Sequence, residues 1–144
     1  MILKENAVAE TSAAARISAA AALVLGTVGA GFVWYFNPSN VGFFPVCPLY
    51  AMTGLACPGC GLTRGFHALF HGDLLTALDY NALLPVFAFV LGYFFVSLFL
   101  LAIRGRGLSF KVFRPQFLYG FMALAIIFAV LRNLPFYPLN ILYP

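Results

Sequence analysis

The residues of this chain best suited to chemistry are three cysteines that lie close together. Cys47, Cys57 and Cys60 fall within 14 residues, and the last two form a Cys-Pro-Gly-Cys motif. A helix that starts at such a motif stabilises a thiolate through its dipole, and Arg64 one turn later would add to this effect. The chain has no other cysteine, and both of its histidines also lie in the segment 47–79. We therefore expect any chemistry in this segment.

The cysteine spacing leaves four states of the thiols open. They are a disulfide or structural clip, free thiols, a metal site, and catalytic disulfide exchange. Because the count is odd, a single disulfide leaves one thiol over. The soluble βαβ context of thioredoxin-type exchange is missing, which makes exchange the least favoured of the four.

Zinc or another transition metal is the cofactor that these residues could bind, because Cys57, Cys60, His67 and His71 all carry suitable ligand atoms. One ion cannot use all four on a continuous helix, since Cys60 and His71 would lie about 16 Å apart at about 1.5 Å per residue. Two smaller sites meet this objection: a three-cysteine site that includes Cys47, and an ion shared by His67 and His71. A haem or pigment on either histidine, or no cofactor at all, are further alternatives. No glutamate follows His67 as in metalloproteases, so no hydrolytic zinc centre is expected.

Four charged residues lie near the predicted outer ends of membrane spans, where unpaired charge is costly. We expect at least one structural ion pair among Arg64, Asp73, Asp79 and Arg132. The sequence holds no Ser-His-Asp arrangement and no phosphate-binding glycine loop. We therefore predict no catalytic residues, and the sequence favours a protein that is not an enzyme without deciding the question.

The rest of the chain has the composition of a membrane protein. Of its 144 residues, 63% are hydrophobic and 8% are charged, against about 25% charged in soluble domains. Three apolar segments reach the length of about 17 to 25 residues that crosses a bilayer, namely 17–36, 83–103, and 117–131 with its flanks. The sequence predicts an all-α fold: a small integral membrane helical bundle with about three transmembrane helices.

Between the first two spans, the sequence predicts a pair of short helices. The first should begin near Pro58 and stop near Gly72, and the second should run from a cap at Asp73 through Tyr80. The pair is too short to span, so we expect it to be interfacial or re-entrant. On the first helix, the polar side chains lie opposite the apolar ones: Cys60, Arg64, His67 and His71 against Leu62, Phe66 and Leu69.

Four basic residues after the second span predict the orientation: Arg104, Arg106, Lys111 and Arg114. Short loops rich in Lys and Arg stay on the cytoplasmic side. The N-terminus is then inside and the segment 37–82 is outside, where disulfides can form and persist. We expect the lipid bilayer as a partner and no nucleic acid.

A longer motif surrounds the cysteines. It comprises Cys47-Pro48, Thr53-Gly54, Cys57-Pro58-Gly59-Cys60-Gly61-Leu62-Thr63-Arg64, His71-Gly72-Asp73, Asn81 and Arg132-Asn133-Leu134-Pro135. The string closely resembles the bacterial membrane proteins grouped as the domain of unknown function 2752 family, with its Cys-Pro-x-Cys-Gly-x-Thr-Arg core. The resemblance runs from about Pro45 to Pro138 and departs from the family at Ala82, where proline is frequent. It implies a small multi-span membrane protein with a cysteine-bearing outer loop, and it implies no reaction. We expect the protein in the inner membrane of a bacterium.

The resemblance also divides the chain. We predict an N-terminal tail and anchor in 1–44, a cysteine-motif membrane domain in 45–138 and a C-terminal tail in 139–144. Within the domain, the outer loop and short helices occupy 45–81, and the spans occupy about 83–103 and 116–134.

The function that the sequence favours is a non-enzymatic accessory subunit of a larger membrane complex, with the cysteine-bearing outer loop as a docking surface. One side of the first span consists of small residues that would let another helix approach closely: Ala15, Ala19, Ala22, Gly26 and Ala30. The alternative is an envelope thiol-redox or metal-handling protein that uses Cys57 and Cys60. A weaker alternative is a subunit that ligates haem or pigment through His67 or His71.

Overall fold

The computed structural model of the protein describes residues 12–109 and 114–135. These residues form six α-helices and no strand, so the all-α prediction is confirmed for them. The helices are α1 (Ala13–Tyr35), α2 (Pro48–Thr53), α3 (Leu62–Phe70), α4 (Leu74–Tyr80), α5 (Leu84–Arg104) and α6 (Pro115–Leu131). The predicted tail 139–144 and the basic residue Lys111 lie outside the described residues.

Two helices are long and apolar enough to cross a membrane: α1 with 23 residues and α5 with 21. At about 1.5 Å per residue, either one reaches across about 30 Å of hydrocarbon. They coincide closely with the predicted segments 17–36 and 83–103. Only 6% of the most apolar stretch of each helix is buried, whereas the core helix of a soluble protein would be mostly buried.

The third predicted crossing is not confirmed. Helix α6 is apolar but has 17 residues. It begins at Pro115 and ends at Leu131, and the side chain of the capping residue Arg132 is buried. At about 1.5 Å per residue, the helix is shorter than the hydrocarbon layer is thick.

Helices α1 and α5 pack against each other in antiparallel directions. A side chain on Gly26 would meet the ring of Phe95, so the small residue allows close approach. At one end, Arg16 donates hydrogen bonds from Nε and Nη2 to the carbonyl oxygens of Ala102 (3.2 Å) and Ile103 (2.9 Å). The side chain therefore caps the last turn of α5, whose carbonyl groups lack helical partners.

Helices α3 and α4 form a small packed unit at the other end of α1 and α5. Its core consists of Ala68, Ala77 and Leu84, and the predicted apolar side of α3, Leu62, Phe66 and Leu69, packs against this core. Gly65 allows the close approach, because a side chain there would meet Leu84 and the backbone of Ala77.

The structure corrects the predicted start of the first short helix. Helix α3 begins at Leu62 and not near Pro58, because Gly61 has a left-handed φ of 84° and interrupts the helix. A further short helix, α2, starts at Pro48 and is capped by Gly54, which has a φ of 71°. This pattern of proline at the start and glycine at the end is typical of helices. Cys60 consequently lies in a turn and is buried.

Candidate thiolate metal site

Each cysteine is positioned by a local backbone feature at the end of the bundle where α5 begins. Cys47 is the residue that precedes the first turn of α2. Cys57 and Cys60 are joined by a turn in which the Cys60 N–H donates to the Cys57 carbonyl at 3.1 Å. The Cys57 N–H in turn donates to the Cys60 sulfur at 3.2 Å. The motif residues thus fold back on themselves before α3 begins.

The three sulfur atoms converge on one point. Cys57 Sγ lies 3.2 Å from Cys47 Sγ and 3.1 Å from Cys60 Sγ, and all three atoms lie within 4.8 Å of one another. All three cysteines are free thiols. The structure therefore brings Cys47 back to the Cys-x-x-Cys turn, as the three-cysteine alternative requires.

The sulfurs form a triangle and not a line. A linear arrangement would separate the outer two sulfurs by the sum of the shorter distances, well beyond 4.8 Å. A thiolate that attacks a disulfide must approach the attacked sulfur opposite the leaving sulfur. A triangle suits a shared ion better than exchange among the three thiols in place.

The thiols of Cys47 and Cys60 differ in acidity. The pKa of the Cys47 thiol is lowered to about 7, first by the backbone N–H of Tyr50 and then by the Cys57 thiol. N–H groups in the first turn of a helix lack helical partners and favour negative charge. The pKa of the Cys60 thiol is raised to about 12, mainly because burial penalises its charged form.

Arg132, at the end of α6, holds the cysteine turn. Its side chain is fully buried, and its Nη1 donates to the carbonyl oxygens of Cys57 (2.8 Å) and Cys60 (3.1 Å). The guanidinium carbon lies 5.0 Å from the ring centroid of Phe128. This places a positive charge beside the turn that carries two of the three thiols.

Two asparagines complete the support of the turn. Asn81 is 1% exposed, and its Nδ2 donates to the carbonyl oxygens of Pro58 (2.8 Å) and Cys60 (3.0 Å). Asn133 pairs with the backbone of Ala56 in both directions, since it accepts from the N–H at 2.8 Å and donates to the carbonyl at 2.9 Å. The chain on both sides of Cys57 is therefore fixed by side chains from elsewhere.

The charged residues predicted to form ion pairs occupy different places. The Arg64 guanidinium lies 5.9 Å from the ring centroid of Tyr80. Asp73 caps α4 by accepting a hydrogen bond from the Thr76 N–H at 3.1 Å. This hydrogen bonding lowers the pKa of Asp73. Asp79 is exposed. The expected Arg–Asp pair among these four residues stays a prediction.

The histidines do not join the cysteines. Among the described residues, the three cysteines are the set of His, Cys, Asp and Glu ligand atoms that converge within 4.8 Å. His67 and His71 instead line a separate cavity of about 220 Å³ with Arg64 and Asp73. The structure thus does not bring Cys57, Cys60, His67 and His71 together in one site.

Sequence reasoning included Asn81, Arg132 and Asn133 in the motif but missed what they do. They lie 21 to 77 residues from the backbone groups between Ala56 and Cys60 that they contact. Periodicity and local spacing carry no signal at such separations. The available signal was the motif itself, in which two amides and a guanidinium accompany the cysteines.

The two helices that are long and apolar enough to cross a membrane are compatible with a membrane protein. Residues 47–95 match the model of the family described as "Protein of unknown function (DUF2752)", which is the family that the motif predicts. The match includes all three cysteines and Asn81, whereas Arg132 and Asn133 lie beyond it. No curated protein and no solved structure matches the chain.

Proposed function

We propose that this protein is an integral membrane protein that binds a soft transition-metal ion, zinc or copper(I), with Cys47, Cys57 and Cys60. The observation that carries the proposal is the convergence of the three sulfurs within 4.8 Å. Thiolates select these ions over magnesium or calcium. One disulfide would use only two of the three sulfurs, whereas an ion would use all of them.

The surroundings of the cysteines also favour a bound cation with thiolate ligands. A metal ion deprotonates a coordinating thiol, which overcomes the high pKa of Cys60. The charge of Arg132 would balance part of the negative charge of three thiolates. A cavity of about 330 Å³ adjoins Cys47 and Cys60, so a water molecule or small ligand can reach the open fourth position of a tetrahedral ion.

The membrane location and orientation are part of the proposal. Helices α1 and α5 supply two apolar helices of sufficient length. Arg16 contacts the end of α5 that carries Arg104, and Arg106 follows, so these basic residues lie at the end of α1 and α5 opposite the cysteines. The positive-inside rule then supports a cysteine loop outside the cytoplasm, in the inner membrane of a bacterium.

The test is the metal content and thiol state of the full chain, purified in mild detergent under reducing conditions with a tag free of histidine and cysteine. We expect about one zinc or copper ion per chain, and thiols that react with a maleimide only after a chelator is added. Cys47→Ser, Cys57→Ser and Cys60→Ser should each lower the metal content. Met52→Leu is the control, because Met52 is a nearby exposed sulfur. Recovery of the reduced chain with no bound zinc or copper would refute the proposal.

The accessory subunit predicted from the sequence is the second candidate function. The small-residue side of α1 does not favour it, because Ala19 is buried and Gly26 lies against Phe95 of the same chain. A different observation favours the accessory function. After α1, exposed apolar side chains continue along the loop that carries the cysteines. They are Phe43, Val46, Leu49, Met52 and Leu55. This surface fits an apolar surface of another membrane protein.

Purification in mild detergent followed by mass spectrometry tests this second function. We expect a membrane protein at a fixed ratio to the chain, and its loss in the Val46→Asp chain with the metal content unchanged. Recovery of the chain alone would exclude the accessory function and leave the metal site in place.

A further inference from the structure

The two histidines of the chain form a pair at the end of α3. His67 and His71 lie one helical turn apart, and their ring centroids are 4.4 Å apart. Both line the cavity of about 220 Å³ that is separate from the cysteines. Histidines at this spacing on one helix present their rings to the same space, as in metal sites built on an i, i+4 pair.

One ring nitrogen of each histidine is already bound to a backbone carbonyl. His67 Nδ1 lies 2.7 Å from the oxygen of Val33, and His71 Nδ1 lies 2.8 Å from the oxygen of His67. A carbonyl oxygen only accepts hydrogen bonds, so each Nδ1 must carry the proton. In the neutral imidazole, Nε2 then keeps its lone pair.

This arrangement is the one that metal-ligating histidines adopt. Such a histidine almost always donates its other N–H to a carbonyl or carboxylate, which fixes the ring and the tautomer. The ring of His71 is also stacked on Trp34, at 6.0 Å between centroids and 10° between planes. Both rings are thus oriented before any ligand binds.

We infer that His67 and His71 form a second transition-metal site, independent of the cysteines, which takes a divalent ion such as Cu²⁺, Ni²⁺ or Zn²⁺ through the two Nε2 atoms. Water fills the remaining positions. Imidazole nitrogen suits these ions. The inference does not rest on the proposed function of the cysteines.

The other groups of the cavity are compatible with a bound cation. Arg64 and Asp73 line it with opposite charges, and the Arg64 guanidinium lies over the Tyr80 ring. The cavity is smaller than the lower limit of about 300 Å³ for drug-sized ligands. An ion with its water molecules therefore fits better than the haem or pigment considered from the sequence.

The experiment uses the full chain without a polyhistidine tag, with Cys47, Cys57 and Cys60 all replaced by serine. Titration with Cu²⁺, followed by electron paramagnetic resonance, should give one bound ion per chain with coupling to two imidazole nitrogens. His71→Ala should remove one nitrogen and weaken binding by more than the about 10- to 100-fold that loss of an outer-shell partner costs. Phe70→Ala is the control, since this neighbour does not line the cavity.

His71→Ala is the more informative variant, because His67→Ala also removes the hydrogen bond to Val33 of α1. An unchanged spectrum and unchanged Cu²⁺ affinity in the His71→Ala chain would overturn the inference. A second measurement uses the cysteines intact: His71→Ala should lower the Zn²⁺ stoichiometry by one without changing thiol protection. An unchanged Zn²⁺ stoichiometry there would likewise overturn it, whatever the state of the cysteine site.

Discussion

The Nη1 atom of Arg132 lies 2.8 Å from the carbonyl oxygen of Cys57, although 75 residues separate the two along the chain. The same nitrogen also donates to the carbonyl of Cys60 at 3.1 Å. The end of α6 therefore supports the backbone of the cysteine turn. A sequence motif that seems local is completed by a residue from the far end of the described chain.

Replacing the guanidinium of Arg132 tests how much it contributes to the free energy of unfolding. Arg132→Met keeps the bulk of the side chain but leaves the Cys57 carbonyl without its charged donor. We expect the free energy of unfolding to fall by at least about 1.5–3 kcal/mol, the range for hydrogen bonds to charged groups. Thermal unfolding in detergent measures the change. Arg64→Met is the matched control, because the Arg64 side chain is exposed, and an equal loss in both variants would contradict the assigned role.

Asn81→Asp tests the amide that faces two carbonyl oxygens. The substitution replaces a donor by an acceptor opposite Pro58 and Cys60 while keeping the size of the side chain. A buried group left unsatisfied costs about 1–3 kcal/mol, and a charged one costs more. We expect lower thermal stability and lower metal content. Asn37→Asp should change neither, because Asn37 is exposed and its oxygen only accepts a hydrogen bond from the Ser39 N–H.

Substitution of two glycines that have a left-handed backbone conformation distinguishes the cost of backbone strain from the cost of a steric collision. Gly72 has a φ of 81° and open space around it, so Gly72→Ala should cost only the conformational strain of about 1–3 kcal/mol. Gly61 has a φ of 84°, and a side chain there would collide with the carbonyl of Tyr80. Gly61→Ala should therefore destabilise the protein more than Gly72→Ala and displace α4 from the turn. Chemical unfolding of both variants decides this, and similar losses would argue against the close contact.

The acidity of the thiols gives a prediction about pH. The pKa of Cys47 is lowered to about 7 from an ordinary value of 9.0, so its thiolate forms as the pH rises through 7. In the reduced, metal-free protein, alkylation of Cys47 should show a midpoint near pH 7. Cys60, with a pKa raised to about 12, should stay unreactive until strongly alkaline pH. Peptide mass spectrometry after timed alkylation measures both, and a shared midpoint near pH 9 would refute the difference.

Cys57→Ala adds a check on the cause of this shift. The Cys57 thiol is the second contributor to the low pKa of Cys47. Alanine removes this hydrogen-bonding partner, so we expect the midpoint of Cys47 to move upward. The Tyr50 N–H remains, so part of the lowering should persist.

The orientation is tested by labelling intact cells with a membrane-impermeant maleimide. Cys47 should react from outside after treatment with reductant and chelator. In a chain with serine at 47, 57 and 60, Arg106→Cys should react only after the membrane is opened, because residue 106 follows α5 at the opposite end. Labelling of both positions from the same side would contradict the proposed topology.

The elements that the sequence predicts well are those with a strong local signal. The apolar runs at 17–36 and 83–103 specify α1 and α5, and the spacing of Leu62, Phe66 and Leu69 specifies the packed side of α3. The start of α3 was misplaced because Pro58 is an acceptable first helical residue. The decisive residue is Gly61, whose conformation depends on its contact with Tyr80 in α4.

The site is only partly predictable for a similar reason. Spacing identifies Cys57 and Cys60 as neighbours, and it allows but does not require the return of Cys47. That return depends on α2, a short helix between Pro48 and Gly54 that has no periodic signal. The contacts of Arg132 and Asn133 are tertiary, so no pattern within the cysteine segment could reveal them.

The dependence of the cysteine turn on α6 has a consequence for how the protein is made. The cysteines are synthesised more than 70 residues before Arg132 and Asn133. Until α6 has joined the bundle, the turn lacks the donors that hold the Cys57 carbonyl and the backbone of Ala56. The nascent chain therefore has an incomplete turn until the helices that follow the cysteines, α3 to α6, have been synthesised. We expect the thiols to acquire their final geometry only after α6 has packed against the turn.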